Sequence, residues 1–361
     1  MLIDAAVLRS RTEPYVLEKV EMAEPRANEI LVRIAAVGYC HTDVLLRGPV
    51  ATELPIIPGH EGAGVVEAVG DSVSSVAVGD HVVLTFASCG ACDPCGDGFP
   101  SYCAEFRELN VDGTSADGDP RVTGHDGHEI GSRWFGQSSF ATHALVTEQN
   151  AVVIDRDLPL SLMAPLGCGV QSGAGAVLET FGLRPEQSLV VFGAGSVGLS
   201  ALMAAKVAGA SSIVAVDLHQ HRLDLACELG ATATFLATEE DLRQKIVDAT
   251  TGGAHFAFDT TGVPEMVKLA IACLRWRGML GMVGNPVGEL VLEPKSLNGK
   301  FLTRVIEGGV RPHEFIPRLA ALYRDGRFPV DRLVTTFPLS QINEAENASL
   351  EGRVIKPVLL P

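Results

Sequence analysis

Up to about residue 150 the chain is built of short apolar runs cut by Gly, Pro and Asp, among them Glu29-Ile-Leu-Val-Arg-Ile-Ala, Gly64-Val-Val-Glu-Ala-Val-Gly and Asp80-His-Val-Val-Leu. Their length and β-branched content predict strands of a mostly β domain. From about 160 to 306 the texture changes. Apolar runs at Leu189–Phe192, Ser212–Val216, Phe256–Asp259 and Met279–Val283 alternate with helical spacing, which predicts an α/β region with a parallel sheet. Asp331–Pro361 returns to short strands around a helix expected at Ser340–Ser349, with Ser340 ahead of Gln341-Ile-Asn-Glu as its capped start. That order is compatible with a discontinuous first domain closed by the C-terminus.

One segment carries a nucleotide signature. Val190-Val-Phe-Gly193-Ala-Gly195-Ser196-Val197-Gly198 is G-x-G-x-x-G placed directly after an apolar strand and opening a helix. Its glycines let backbone approach a pyrophosphate, whose charge sits at the helix N-terminus. Asp217 ends the next strand, near the offset at which a carboxylate hydrogen-bonds both hydroxyls of an adenosine ribose. A carboxylate repels a 2′-phosphate, and Leu218 beside it offers no arginine to compensate. NAD is therefore expected over NADP.

Composition narrows the class. With 361 residues, 47% hydrophobic and 20% charged, the chain is long enough to bury a large core in two domains. The longest apolar region, Leu189 to Val216, is broken by Lys206 and by Gly193, Gly195, Gly198 and Gly209, so no membrane span is expected. A formal net charge of -16 opposes nucleic acid as a partner. Met1-Leu-Ile-Asp4 has no basic stretch leading into an apolar one, and a cytoplasmic location is expected.

The cysteines supply the chemistry. Cys89, Cys92, Cys95 and Cys103 form C-x2-C-x2-C-x7-C in a Gly- and Pro-rich lobe, the spacing of a closed, structural zinc site. A disulfide pair is the alternative, but such frameworks belong to small secreted domains. A nucleic-acid zinc ribbon is another, and the lobe, with Asp93 and Asp97, carries no basic patch. Cys40, His60 and Cys168 remain as soft ligands, enough to hold a second metal with one position open. Each alone is more often a core residue than a ligand.

Gly59-His60-Glu61-x-x-Gly64-x5-Gly70-x2-Val73, followed by the cysteine lobe, resembles the zinc-containing alcohol dehydrogenases of the medium-chain dehydrogenase/reductase superfamily, and the likeness covers essentially the whole chain. Phe135-Gly-Gln-Ser-Ser-Phe140-Ala, Phe258-Asp-Thr-Thr-Gly262, Val305-Ile-Glu-Gly308 and Gly326-Arg-Phe-Pro329 look like the branch acting on benzyl, other aryl and allylic terpenoid alcohols. The resemblance implies a Rossmann doubly wound parallel sheet (170–306) and a mostly β, GroES-like catalytic domain (1–169 and 307–361). It implies NAD, two zinc ions per chain, a small alcohol or aldehyde as substrate, and a homodimer or homotetramer.

Residue by residue, the resemblance makes Cys40, His60 and Cys168 the catalytic zinc ligands and the four lobe cysteines the structural ones. Asp43 then orients the zinc histidine, Glu61 lies near the metal, and Thr42 passes on the substrate proton. Two positions depart from the horse-liver-type enzymes: His41 stands where they place a pyrophosphate-binding arginine, and Leu45 where they end the proton relay with histidine. His41 is accordingly expected to contact the pyrophosphate or to take the relayed proton. Trp134, Phe135 and Asn285 are expected at the substrate cleft, with Val283 and Asn285 beside the nicotinamide and Lys356 reaching the cofactor phosphates. Segment Ala104–Arg133 is expected at the cleft rim or a subunit contact, and Cys227 and Cys273 as buried packing residues. A thiol-adduct formaldehyde dehydrogenase of the same superfamily is the rival enzyme, although no basic residue stands out to hold the adduct's carboxylates. A non-catalytic, zinc-stabilised nucleotide-binding relative is the rival outside enzymes.

Overall fold

The structure is a computed structural model that describes residues 1–49, 52–112 and 121–361. Of the expected rim segment 104–133, residues 113–120 lie outside the described residues. The chain divides into two compact units, Met1–Cys168 with Arg311–Leu322 and Val330–Pro361, and Gly169–Val310 with Tyr323–Pro329.

The first unit contributes β1 (Leu2–Val7), β2 (Val16–Met22), β3 (Glu29–Gly38), β4 (Gly62–Val69), β5 (His81–Leu84), β6 (Val122–Thr123), β7 (His143–Thr147) and β8 (Ala151–Ile154). The second contributes β9 (Ser188–Phe192), β10 (Ser212–Asp217), β11 (Ala233–Leu236), β12 (Ala254–Asp259), β13 (Leu274–Met282) and β14 (Phe301–Arg304), and the chain returns to the first unit for β15 (Val334–Pro338) and β16 (Lys356–Leu360). The main sheet of the first unit runs β15-β16-β3-β4-β5-β8, with β7 also on β3. Central β3 is buried along nearly its whole length, its Val32 and Ile34 packing with Val66, Val82, Leu84, Phe140, Trp134 and Leu359. Burial of that kind is the chief force holding the sheet together. The end of β3 and the start of β4 are thereby fixed; Cys40 lies two residues past the first and His60 two residues before the second.

In the second unit six parallel strands lie in the order β11-β10-β9-β12-β13-β14. Numbered from β9 this is the doubly wound order 3-2-1-4-5-6, and its direction reverses between β9 and β12. The crevice at the carboxyl ends of those two strands is where such sheets bind nucleotides.

The last helix differs from the sequence expectation. It spans Ile342–Leu350 behind a tight 3-10 turn at Leu339–Gln341, and no side chain caps its start. Asn343 instead bonds the backbone of Tyr15 in both directions, at 2.8 and 3.0 Å, so tertiary pairing of the helix start displaces a local cap. Cys273 is buried as expected, whereas Cys227 is exposed. Among the described residues no helix is long and apolar enough to cross a membrane.

Candidate metal centres and nucleotide crevice

The sulfur atoms of Cys89, Cys92, Cys95 and Cys103 all lie within 4.8 Å of one another. Ligands on a tetrahedral zinc, at bonds of about 2.0–2.3 Å, are separated by roughly 3.3–3.8 Å, so the cluster has the size of a closed site. Backbone N–H groups already point at the sulfurs: Cys89 and Glu105 donate to Cys103, Cys92 to Cys89, and Ala104 to Cys92, at 3.3–3.4 Å. The N–H of Ala104 helps to lower the Cys92 thiol to about 6. Burial raises Cys95 to about 12, with the Cys92 and Cys103 sulfurs adding to it, and burial raises Cys103 too. Thiols so placed ionise together only around a cation.

A second cluster is wholly buried. Ligand atoms of Cys40, His60, Glu61 and Cys168 also lie within 4.8 Å of one another. Cys40 follows β3, His60 precedes β4, and Cys168 follows a 3-10 turn that Thr85 holds by a 2.8 Å bond from its hydroxyl to the Gly167 carbonyl. The His60 ring is fixed from behind, Nδ1 lying 2.8 Å from Asp43 Oδ1, while Nε2 is buried with no hydrogen-bond partner. A buried ring nitrogen left without a partner beside two thiols is what a metal ligand looks like. The Cys40 thiol lies well below its ordinary range, chiefly through a hydrogen bond with Cys168, with Lys356 and His60 assisting against burial. The donor set fits zinc with an open position, and Glu61 is the one carboxylate of the group.

Glu61 is held by a residue far along the chain. Lys356, expected at the cofactor phosphates, instead donates from Nζ to both Glu61 oxygens at 2.9 Å and to the Tyr39 carbonyl at 3.2 Å. Burial opposes charge on both partners; it lifts Glu61 to about 7, and Lys356 is nevertheless raised by Glu61 and the Cys40 sulfur. A Cβ at position 38 would come within 1.9 Å of Glu61 Oε2, so a larger residue there would displace the carboxylate from its lysine.

Trp134 and Phe135, expected at the cleft, are buried in the core of the first unit around His60. Phe135 packs at a tilt against the imidazole, 4.6 Å between ring centres and 30° between planes, and the Trp134 indole N–H donates to Asp43 Oδ1 at 3.0 Å. Gln137 completes the grip, donating to the His60 carbonyl at 2.9 Å and accepting from Gly62 N at 3.0 Å. Of the relay residues, Thr42 is half-buried and His41 is exposed.

In the second unit, Gly193 follows β9 with φ 95°, and a Cβ on it would meet Thr260 Oγ1 at 2.2 Å. Gly195 caps the helix Ser196–Val207 and faces open space. Asp217 accepts from the N–H groups of Ala194 at 2.6 Å and His219 at 2.9 Å. One expectation needs correction here: a basic group does stand beside it. Arg222, on the first turn of the following helix, brings Nη1 within 3.9 Å of Asp217 Oδ2. Val283 and Asn285 follow β13, both half-buried, with Arg304 bonding the intervening Gly284 carbonyl at 2.7 Å.

Known proteins are similar to this chain over almost its whole length. The alcohol dehydrogenase GroES-like domain family matches residues 26–156, and the zinc-binding dehydrogenase family matches 196–322. The chain is 46% identical to a geraniol dehydrogenase of Castellaniella defragrans over 99% of this chain and 97% of that protein. Its fold superposes on a crystal structure of benzyl alcohol dehydrogenase from Acinetobacter calcoaceticus with TM-score 0.96 and 40% identity, covering 100% and 99% of the two chains. An alcohol dehydrogenase zinc-binding domain protein from Burkholderia ambifaria superposes with TM-score 0.98, at 44% identity and the same coverage.

Proposed function

This chain belongs to the zinc-type alcohol dehydrogenases, and we propose that it interconverts a primary aryl or allylic alcohol and its aldehyde, with NAD as hydride carrier and two zinc ions per chain. The observation that carries the metal assignment is the buried Cys40, His60 and Cys168 set with its unpartnered imidazole nitrogen. When bound, zinc lowers the pKa of an alcohol oxygen from about 16 towards about 7, and NAD accepts the hydride. The chain's own residues do the rest. Asp43 fixes the His60 tautomer and ring, and Phe135 packs against the imidazole. Thr42 Oγ1 would accept the alcohol's proton as it gives its own hydroxyl proton onward, and exposed His41 would either take that relayed proton to solvent or contact the cofactor pyrophosphate. The reading includes a cytoplasmic homodimer or homotetramer, on the family resemblance alone.

The substrate class rests on the two named relatives, whose alcohols share an unsaturated carbon next to the carbinol. Initial rates of NAD reduction over benzyl, cinnamyl, geranyl, ethyl and secondary alcohols test it. Contacts to the carbons beyond the carbinol, worth about 1–3 kcal/mol each, should favour the benzyl and allylic substrates by about 100-fold in kcat/KM over ethanol. Faster turnover of ethanol would refute the substrate assignment.

Cofactor choice has its own test. In Asp217→Ser the repulsive carboxylate is gone and Arg222 is freed for a 2′-phosphate. One charge-assisted hydrogen bond is worth about 1.5–3 kcal/mol, so the NAD to NADP preference should fall by about 10- to 100-fold. An unchanged ratio of kcat/KM values would remove Asp217 from the account.

A further inference from the structure

We propose that Trp134 is a positioning residue for the metal ligand His60, acting through the carboxylate of Asp43 by means of its indole N–H. The inference rests on the zinc proposed at Cys40, His60 and Cys168. Trp134 is only 1% exposed and is one of the largest side chains fully inside the protein. A buried indole N–H needs an acceptor, and here the acceptor is the oxygen that holds the histidine. Asp43 Oδ1 receives Trp134 Nε1 at 3.0 Å, His60 Nδ1 at 2.8 Å and Gly59 N at 3.1 Å, while Oδ2 receives Cys40 N at 3.1 Å. Three donors converge on one oxygen. The carboxylate cannot turn about its Cα–Cβ or Cβ–Cγ bonds without breaking the indole bond as well as the backbone bonds, so Trp134 helps aim Oδ1 at the imidazole.

The turn that carries Trp134 is built for this grip. Its backbone N–H bonds Ser138 Oγ at 2.9 Å, and both Phe135 (φ 52°) and Ser138 (φ 50°) take left-handed backbone conformations. Non-glycine residues adopt that conformation at a cost, and persist in it only where the surroundings over-determine it. The surroundings here are His60 itself: Phe135 lies on its ring, Gln137 holds its carbonyl, and Trp134 reaches its carboxylate partner. A phenyl ring would fill most of the same volume. Only the indole adds the hydrogen bond.

The test uses the full enzyme with cobalt in the buried site and zinc in the four-cysteine lobe. Loss of cobalt to a chelator is followed by its thiolate absorbance, and loss of lobe zinc by a colorimetric indicator. Partners of metal-bound histidines are worth about 10- to 100-fold in metal affinity. Trp134→Phe should release cobalt about 10-fold faster and lobe zinc at the parental rate. In an Asp43→Ala background, which has no acceptor for the indole, the same change should add little. An unchanged cobalt rate, equal acceleration at both sites, or full additivity with Asp43→Ala would each overturn the proposal. If Trp134→Phe fails to fold, 3-benzothienylalanine at position 134 in a Trp276→Phe chain keeps the shape without the N–H, and the same outcomes apply. A parent enzyme that takes up one metal per chain overturns the metal assignment itself, and this inference with it.

Discussion

His60→Ala should yield a chain that keeps its lobe zinc, lacks the other, and oxidises benzyl alcohol at least about 1,000-fold more slowly than the parent. Lowering an alcohol from about 16 towards about 7 spans roughly nine pKa units, each worth 1.36 kcal/mol. Expressing only a third of that in the barrier already gives the stated factor. Cys103→Ser should behave in the opposite way. The lobe is largely half-buried or exposed, with little apolar core of its own, and structural zinc supplies about 10–16 kcal/mol of apparent binding energy in small domains. Its loss should unfold the lobe locally and lower thermal stability, while turnover per remaining catalytic zinc stays within a few-fold of the parent. Metal analysis, melting and kcat on the two variants check both halves. Parental turnover in a one-zinc His60→Ala chain would refute the catalytic assignment.

What the sequence disclosed of this site, and what it hid, follows from how each feature is specified. The G-x-G-x-x-G turn and the cysteine lobe are set by spacing along one short segment, so their geometry is written locally. The strand β3 likewise follows from an apolar run bounded by turn residues, whereas the doubly wound sheet comes from the family resemblance. Partnerships across the fold are different in kind. Trp134 meets Asp43 across 91 residues and Lys356 meets Glu61 across 295, and no local pattern says which acceptor a tryptophan or lysine will find. The resemblance could not name these partners either: an aromatic next to Gly136 suits a cleft wall and a lysine near the C-terminus suits a phosphate, and neither expectation points to Asp43 or Glu61. A weak signal did exist for one of them. A tryptophan must satisfy its N–H if buried, and Asp43 was the carboxylate already tied to the metal histidine. Arg222 is not visible from the residue beside Asp217, because it is the first turn of the next helix that brings position 222 back towards the carboxylate. Cys227 stands on a helix of low amphipathicity with buried positions only at Leu223, Ala226 and Leu229, so its exposure follows from one step of helical rotation.

Lys356→Met should destabilise the zinc-loaded enzyme by about 3–5 kcal/mol, the usual cost of removing one partner from a buried ion pair. The side chains of Lys356 and Glu61 are 4% and 0% exposed, so water cannot take the place of the lost ammonium. The neighbourhood makes the loss worse. Two thiols and the Asp43 carboxylate crowd the same interior, and Lys356 is the cation that offsets Glu61 when zinc is engaged by its own ligands. Methionine fills the space of the lysine stem, so the effect is one of charge and not of a cavity. Replacing the partner as well, in Lys356→Met/Glu61→Gln, removes the orphaned charge and should recover most of the loss, because breaking a pair costs more than removing both halves. Urea titrations of the two variants and the parent, read by the signal of the first unit, give the comparison. A single variant within about 0.5 kcal/mol of the parent, the scatter expected of surface substitutions, would mean that Glu61 finds another cation and that Lys356 is not its necessary partner.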